Sequence, residues 1–292
     1  MPTEPLIQWP EPIVQLLGFV AQFLAAGAIG FRFFALKGRR IETDRPFYVD
    51  AASRAAVLGL VGDLGSLALM LWQLPALAGR KHLSAGAFLV SDSQTAMQLG
   101  FLVLAALGFL TAARHVRAGW FLAAAGVVVG SLRAVFAAKW ASLINPIHVL
   151  AAGLWIGTLL VLVVAGLSAL LKHESVRARR GAIAADMVNG FSPIALSMGG
   201  VVVLFGVITA WRHLHKLQAL WTTPYGYALI VKLIFVATVF ALGAWNWRRQ
   251  RPTLGTDEAA SSIRQSASAE LAVAGIVLMI TAILVSLPSP KA

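Results

Sequence analysis

Eight stretches of this chain are apolar for about twenty residues each, the length that crosses the hydrocarbon core of a bilayer as a helix, and the gaps between them are short and polar. They run from about Ile13 to Leu36, Tyr48 to Leu74, Thr95 to Ala113, Gly119 to Trp140, Pro146 to Leu171, Ala184 to Trp211, Tyr225 to Trp247, and Ala269 to Leu287. The fold expected from them is all-α: a polytopic membrane helix bundle of eight transmembrane helices. The segment from Arg248 to Ser268, rich in Ser, Thr and Ala, reads as a polar surface connection, and no gap is long enough for a separate soluble domain. The chain is therefore expected to form a single transmembrane domain over 1–292.

Composition agrees. With 59% hydrophobic and 12% charged residues and a mean hydropathy of +0.79, the chain lacks the charged surface of a soluble domain. The net charge of +12 would point to nucleic acid in a soluble protein. Here the basic residues sit between apolar segments, so the partner expected is membrane lipid and not nucleic acid. The gaps after segments one, three, five and seven hold fourteen Lys and Arg residues and the opposite side six, which puts the odd gaps in the cytoplasm and both termini outside. Met1 to Glu11 carries two acids and no base, the wrong charge for a signal peptide, so the first helix is expected to be retained. Trp9, Trp72, Trp120, Trp140, Trp211, Trp221, Trp245 and Trp247 fall near segment ends and read as an interfacial belt. Trp155 lies within its helix.

The fifth segment carries one ionisable group, His148, before Lys172. At about 100° per residue, His148, Ala151, Ala152, Trp155 and Leu159 share one face. Gly153 and Gly157, four apart, offer a G-x-x-x-G contact surface on another. The helix is expected to pack on two sides.

The chain has no cysteine, so soft-metal chemistry falls to Met and His. His82 lies in the outer gap after segment two, His148 at the outer start of segment five, and His213 and His215 in the loop beyond segment six. Met70 and Met97 lie near the outer ends of segments two and three. Imidazole and thioether suit copper, thioether favouring Cu(I), and the scarcity of carboxylates argues against Mg or Ca. Met198 and Met279, near mid-membrane, read as core packing. His115 and His173 sit among cytoplasmic arginines and are assigned no site. Asp63, Arg133 and Lys232 fall within apolar segments, where an ionisable side chain needs a partner. A structural charge pair of Asp63 with Arg133 or Lys232 would offset the cost of desolvation. Arg54, four after Asp50, has the spacing of a local helical pair, and Glu270 reads as opening the last helix.

Several blocks resemble one known family, the CopD copper-resistance proteins. They are His148 with Ala151-Ala152-Gly153-Leu154-Trp155-Ile156-Gly157; Phe191-Ser192-Pro193 with Ala195, Gly206 and Trp211; Thr223-Pro224-Tyr225-Gly226 with Leu229, Lys232 and Leu233; Asn246; and Ile263-Arg264 before Ala269-Glu270-Leu271, ending at Leu287-Pro288. The match is strongest over 148–288. Where family members often carry a Gly-His pair ahead of the fifth helix, this chain reads Gly130-Ser131-Leu132-Arg133, which leaves His148 as the one histidine expected within the helices. The resemblance implies a multi-pass protein of the bacterial inner (cytoplasmic) membrane that handles copper in resistance or uptake, often beside a periplasmic copper-binding protein.

The function expected is copper binding at an outer site and its transport or retention in the bundle. His148 is the central ligand, His213, His215 and His82 are capture groups, and Met70 and Met97 are thioether candidates. The chain is not expected to be an enzyme, since it lacks G-x-S-x-G and H-E-x-x-H motifs as well as cysteine. Two alternatives stand beside this: a haem-binding or redox membrane protein with His148 and Met198 or Met279 as axial ligands, and a non-catalytic subunit of a larger membrane complex.

Overall fold

The computed structural model describes residues 9–37, 44–250, 252, 255–256 and 259–288. Among them there is no strand. The helices are α1 (Glu11–Phe33), α2 (Arg45–Gly79), α3 (Ala85–Ser91), α4 (Ser93–Ala113), α5 (Arg117–Ser131), α6 (Trp140–Lys172), α7 (Arg180–Leu214), α8 (Ala219–Thr222), α9 (Pro224–Gln250) and α10 (Ala259–Ser286). Among the described residues seven helical spans are long and apolar enough to cross a membrane, and α5, at fifteen residues, is a shorter apolar helix.

The fourth segment accounts for the difference from eight. Its regular helix stops at Ser131, and Arg133–Ala137 follows as a 3₁₀ turn ending at Ala138, which has a left-handed φ of 53°. Arg133 folds back there, donating to the Gly130 carbonyl at 3.1 Å and to Gln98 Oε1 at 2.7 Å. Those acceptors take the two terminal nitrogens of the guanidinium and leave Nε buried without a partner, where a continued helix would carry the group along the apolar span.

Two helices form the centre. Two thirds of the α6 span is buried, and α1 is buried from Phe23 to Phe31 apart from Leu24. Gly153 and Gly157 of α6 face α1, as expected from their spacing. A Cβ on Gly157 would run into the Phe23 carbonyl, and one on Gly27 into the Gly157 backbone. The opposite side of α6 meets α7 and α9: Trp155 packs on Phe240 with ring centroids 4.7 Å apart. α6 accommodates both partners with π turns at Gly153–Gly157 and Leu162–Leu167, single-turn bulges of the kind found near functional sites. α4 and α5 meet through Ala105, Gly108 and Ala112 against Gly119, Ala123 and Gly126, where small residues let the backbones touch.

α7 and α9 are covered over only about a tenth of their spans. Their exposed Leu196, Leu204, Val207 and Ile234 form the apolar face that a bilayer would cover. Of the tryptophans read as a belt, Trp9, Trp72, Trp140, Trp211, Trp221, Trp245 and Trp247 are exposed. Trp120 corrects that set, being buried edge-on against Phe109.

Two boundaries move. The polar connection expected up to Ser268 is helical from Ala259, because Ala260, Ile263 and Ala267 bury one face and Gln250 of α9 donates to Ser266 Oγ at 2.6 Å and to the Ser262 carbonyl at 3.3 Å. Glu270 thus lies inside α10, buried, with Asn246 Nδ2 at 3.5 Å from its carboxylate. It does not open the helix. Short α3 was not expected; it is capped by Ser84, whose hydroxyl accepts the Ala87 N–H at 3.3 Å. The Arg54–Asp50 pair forms as expected, at 2.8 Å.

Candidate functional site

The starts of α1, α4, α6 and α9 and the ends of α2, α5, α7 and α10 meet at one end of the bundle. They enclose a cavity of about 730 Å³. His148 sits on its wall, one and a half turns before the first π bulge of α6. Its Nδ1 lies 3.0 Å from the Val202 carbonyl of α7. A carbonyl only accepts, so Nδ1 carries the proton and Nε2 keeps the lone pair. Gly206, one turn beyond Val202, makes room for the ring: a Cβ there would stand 3.1 Å from His148 Cε1.

His213 joins His148 on the cavity wall. It lies in the last turn of α7 and not in a loop, because the helix runs on to Leu214. Its Nδ1 donates to the Thr209 carbonyl at 2.8 Å, and its ring lies parallel to Tyr225, 5.9 Å between centroids at 11°. In the neutral ring this bond leaves Nε2 as the acceptor nitrogen. The Thr223-Pro224-Tyr225-Gly226 block is what places Tyr225. The Thr223 hydroxyl accepts the Gly226 N–H at 3.0 Å, Pro224 occupies the first helical position, and Gly226 lets the Ala219 and Leu220 carbonyls come close.

The other predicted ligands stand apart. His215 caps α7 with a φ of 55°, exposed, and His82 sits with the same φ in the turn after α2, also exposed. Neither lines the cavity, and neither do the half-buried Met70 and Met97. Met198 packs against the core, and Met279 is 48% exposed. Among the described residues no group of three or more His, Asp or Glu side chains has the arrangement of a metal cluster.

Asp63, Arg133 and Lys232 all line the same cavity, but no ion pair joins them. Among the described residues the ion pairs within 4.0 Å are Arg54–Asp50, Arg177–Glu174, Arg179–Asp44 and Arg180–Glu174. Arg133 has turned to Gln98. Asp63 is 1% exposed, and its Oδ2 has no hydrogen-bond partner. Asp63→Asn is therefore expected to leave the detergent melting temperature unchanged or to raise it, because no contact is lost and a buried charge is removed. A drop equivalent to about 3 kcal/mol, the size expected when a buried pair is broken, would show that a direct pair forms.

The amides Gln15, Gln22 and Gln98 add to the polar lining, with Ser66, Ser131, Asn145, Thr209 and Thr281, and were missed in the sequence. Their signal was present: Gln15 and Gln22 are seven apart, on one face of an otherwise apolar helix. Asp92 precedes α4 at the same end. It accepts a hydrogen bond from the Thr95 hydroxyl; that bond, with Lys81 and Lys139 nearby, holds its carboxyl below the ordinary carboxylate range despite some burial.

The family model for Copper resistance protein D (CopD) matches residues 185–284, which cover α7 from its second turn, α9 and most of α10. The blocks from Phe191 to Leu271 fall inside that range, and the His148–Gly157 block lies before it. A curated relative, the Copper transport protein CutJ of Bacillus subtilis (strain 168), is 31% identical over 151 residues, which is 51% of this chain and 25% of that protein. The matched stretch thus spans about a quarter of the relative's length. No solved structure matches the chain. Residues 185–284, which supply Gly206, His213, Tyr225 and Lys232 to the cavity, match the CopD family model, so the resemblance read in the sequence is found again over this part of the bundle.

Proposed function

We propose that the chain is a non-enzymatic, multi-pass protein of the bacterial inner membrane whose substrate is copper, taken as Cu(I) into the cavity at the His148 end. One observation carries this reading: two histidines lining one cavity each commit Nδ1 to a backbone carbonyl, which leaves Nε2 of the neutral ring as the nitrogen available to a metal. The CopD match and the copper-transport relative support copper as that metal.

The excess of Lys and Arg at the opposite end supports placing the His148 end and both termini outside. A periplasmic copper-binding protein would then deliver to this face, and His82 and His215, exposed on turns at that end, serve as capture groups on the rim. His148 binds within, and His213, exposed where α7 ends, binds at the mouth of the same cavity. Asp63, Arg133 and Lys232 act across the polar cavity and not by contact, the carboxylate of Asp63 offsetting one of the two positive charges that repel a metal ion.

Metal content and the visible spectrum of protein purified in mild detergent, before and after Cu(I) is added under reducing conditions, test the reading. A colourless protein that gains stoichiometric copper is expected. A haem band in the untreated sample would replace copper handling by the redox reading, and a protein with neither signal would be a structural subunit.

A further inference from the structure

Asp63 is the only acidic side chain among the described residues that line the large cavity. It lies near the middle of α2, 1% exposed, with Oδ2 buried and without a hydrogen-bond partner. Among the described residues no cation comes within 4.0 Å of it. We propose that Asp63 carries a proton in the copper-free chain and releases it when copper enters, so that the cavity exchanges one proton for one Cu(I). The inference rests on the copper reading above and adds to it the ion that moves in return.

Close packing buries this turn of α2. A Cβ on Gly62 would stand 2.5 Å from the Ala21 carbonyl oxygen and 2.9 Å from the Ala25 nitrogen of α1, and one on Gly59 would run into the Phe109 ring of α4. Into the cavity, α1 and α4 bring neutral amides and α10 a threonine. The titratable or charged side chains that face Asp63 come from other elements: Arg133 after α5, His148 of α6, His213 of α7, and Tyr225 and Lys232 of α9. Arg133 gives its terminal nitrogens to Gln98 and Gly130. The carboxyl of Asp63 is thus near two cations and in contact with neither.

A carboxylate withdrawn from water, with no donor and no cation in contact, is far costlier than a neutral carboxyl, and a proton neutralises it. Ionisable groups at this depth commonly serve as proton sites. Copper changes the balance. With Asp63 neutral, Arg133 and Lys232 already give the cavity two positive charges, and Cu(I) would add a third. Loss of the proton holds the sum at two. One positive charge enters, the O–H bond of Asp63 breaks, and the proton leaves to outside water by the mouth near His213. The exchange is acid–base only, with no change of oxidation state and no co-reactant. Both histidines keep Nδ1 on their carbonyls throughout.

The test is a proton count. The full chain in detergent and weak buffer, with a pH-indicator dye, is brought to saturation with Cu(I) under reducing conditions. The parent is expected to release about one proton more per copper than Asp63→Asn, and its copper affinity to rise with pH more steeply, by about tenfold per pH unit. Asp63→Asn keeps the shape and neutrality of the proton-carrying side chain, and both histidines remain in it. Glu270→Gln, which removes another buried carboxyl that does not line the cavity, is expected to release as the parent does. Infrared difference spectra need no variant: Cu(I) added to the parent should remove the C=O stretch of a protonated carboxyl. No such loss, equal release from the parent and D63N with copper bound by both, or loss of the release in E270Q alone would each overturn the exchange and leave the copper reading standing. A parent chain that binds no copper would overturn both.

Discussion

Replacing His148 by Ala is expected to lower copper affinity by about a hundredfold or more while leaving the fold intact. Loss of a hydrogen-bonded partner behind a ligand already costs 10- to 100-fold, and here the ligand itself goes. The imidazole is half-buried, and its one protein hydrogen bond is to the Val202 carbonyl, which is already part of the α7 backbone ladder. Little stability should go with it. Binding isotherms for Cu(I) against a competing chelator, run beside melting curves, separate the two effects. His213→Ala should lose affinity as well, and His215→Ala, off the cavity, should lose little. An H148A protein that takes up copper with unchanged stoichiometry and affinity would remove His148 from the site.

The largest effect on stability is expected from Gly157→Leu. A Cβ at this position already runs into the Phe23 carbonyl, and a carbonyl in a helix cannot turn aside as a side chain does. Overpacking a core costs about 1–3 kcal/mol; because the obstacle is backbone, and α1 and α6 form the centre of the bundle, about 3 kcal/mol is expected, seen as a lower detergent melting temperature and loss of the monodisperse peak. Gly275→Ala is the control. Gly275 has open space within 4 Å of its Cβ position, and an alanine there should be neutral or stabilising by up to about 1 kcal/mol. If G157L melts like the parent, the α1–α6 contact does not hold the bundle together.

The features legible in the sequence were the ones that a single helix carries by itself. The G-x-x-x-G surface of α6 was visible because four residues make about one helical turn, and His148 because an imidazole in an apolar run has no local partner. The fourth span was misjudged because hydropathy averages over a window and does not register that Arg133 finds acceptors in Gly130 and Gln98 and ends the helix. Trp120 was assigned to the interface on depth alone. Its burial depends on Phe109 and Arg32, which come from other helices.

By itself the sequence determined the membrane class, the approximate spans, the expected orientation and the family resemblance, because bilayer thickness, the charge of the gaps and residue order are properties of the linear chain. Only the tertiary structure decided which polar groups share a space. It brought His213 to the lining of the same cavity as His148 and left His82, His215, Met70 and Met97 outside. It also lined Asp63, Arg133 and Lys232 around one cavity without pairing them. The physical reason is rotation: a span's length sets its depth, but the neighbour that each face meets is set by packing against other helices.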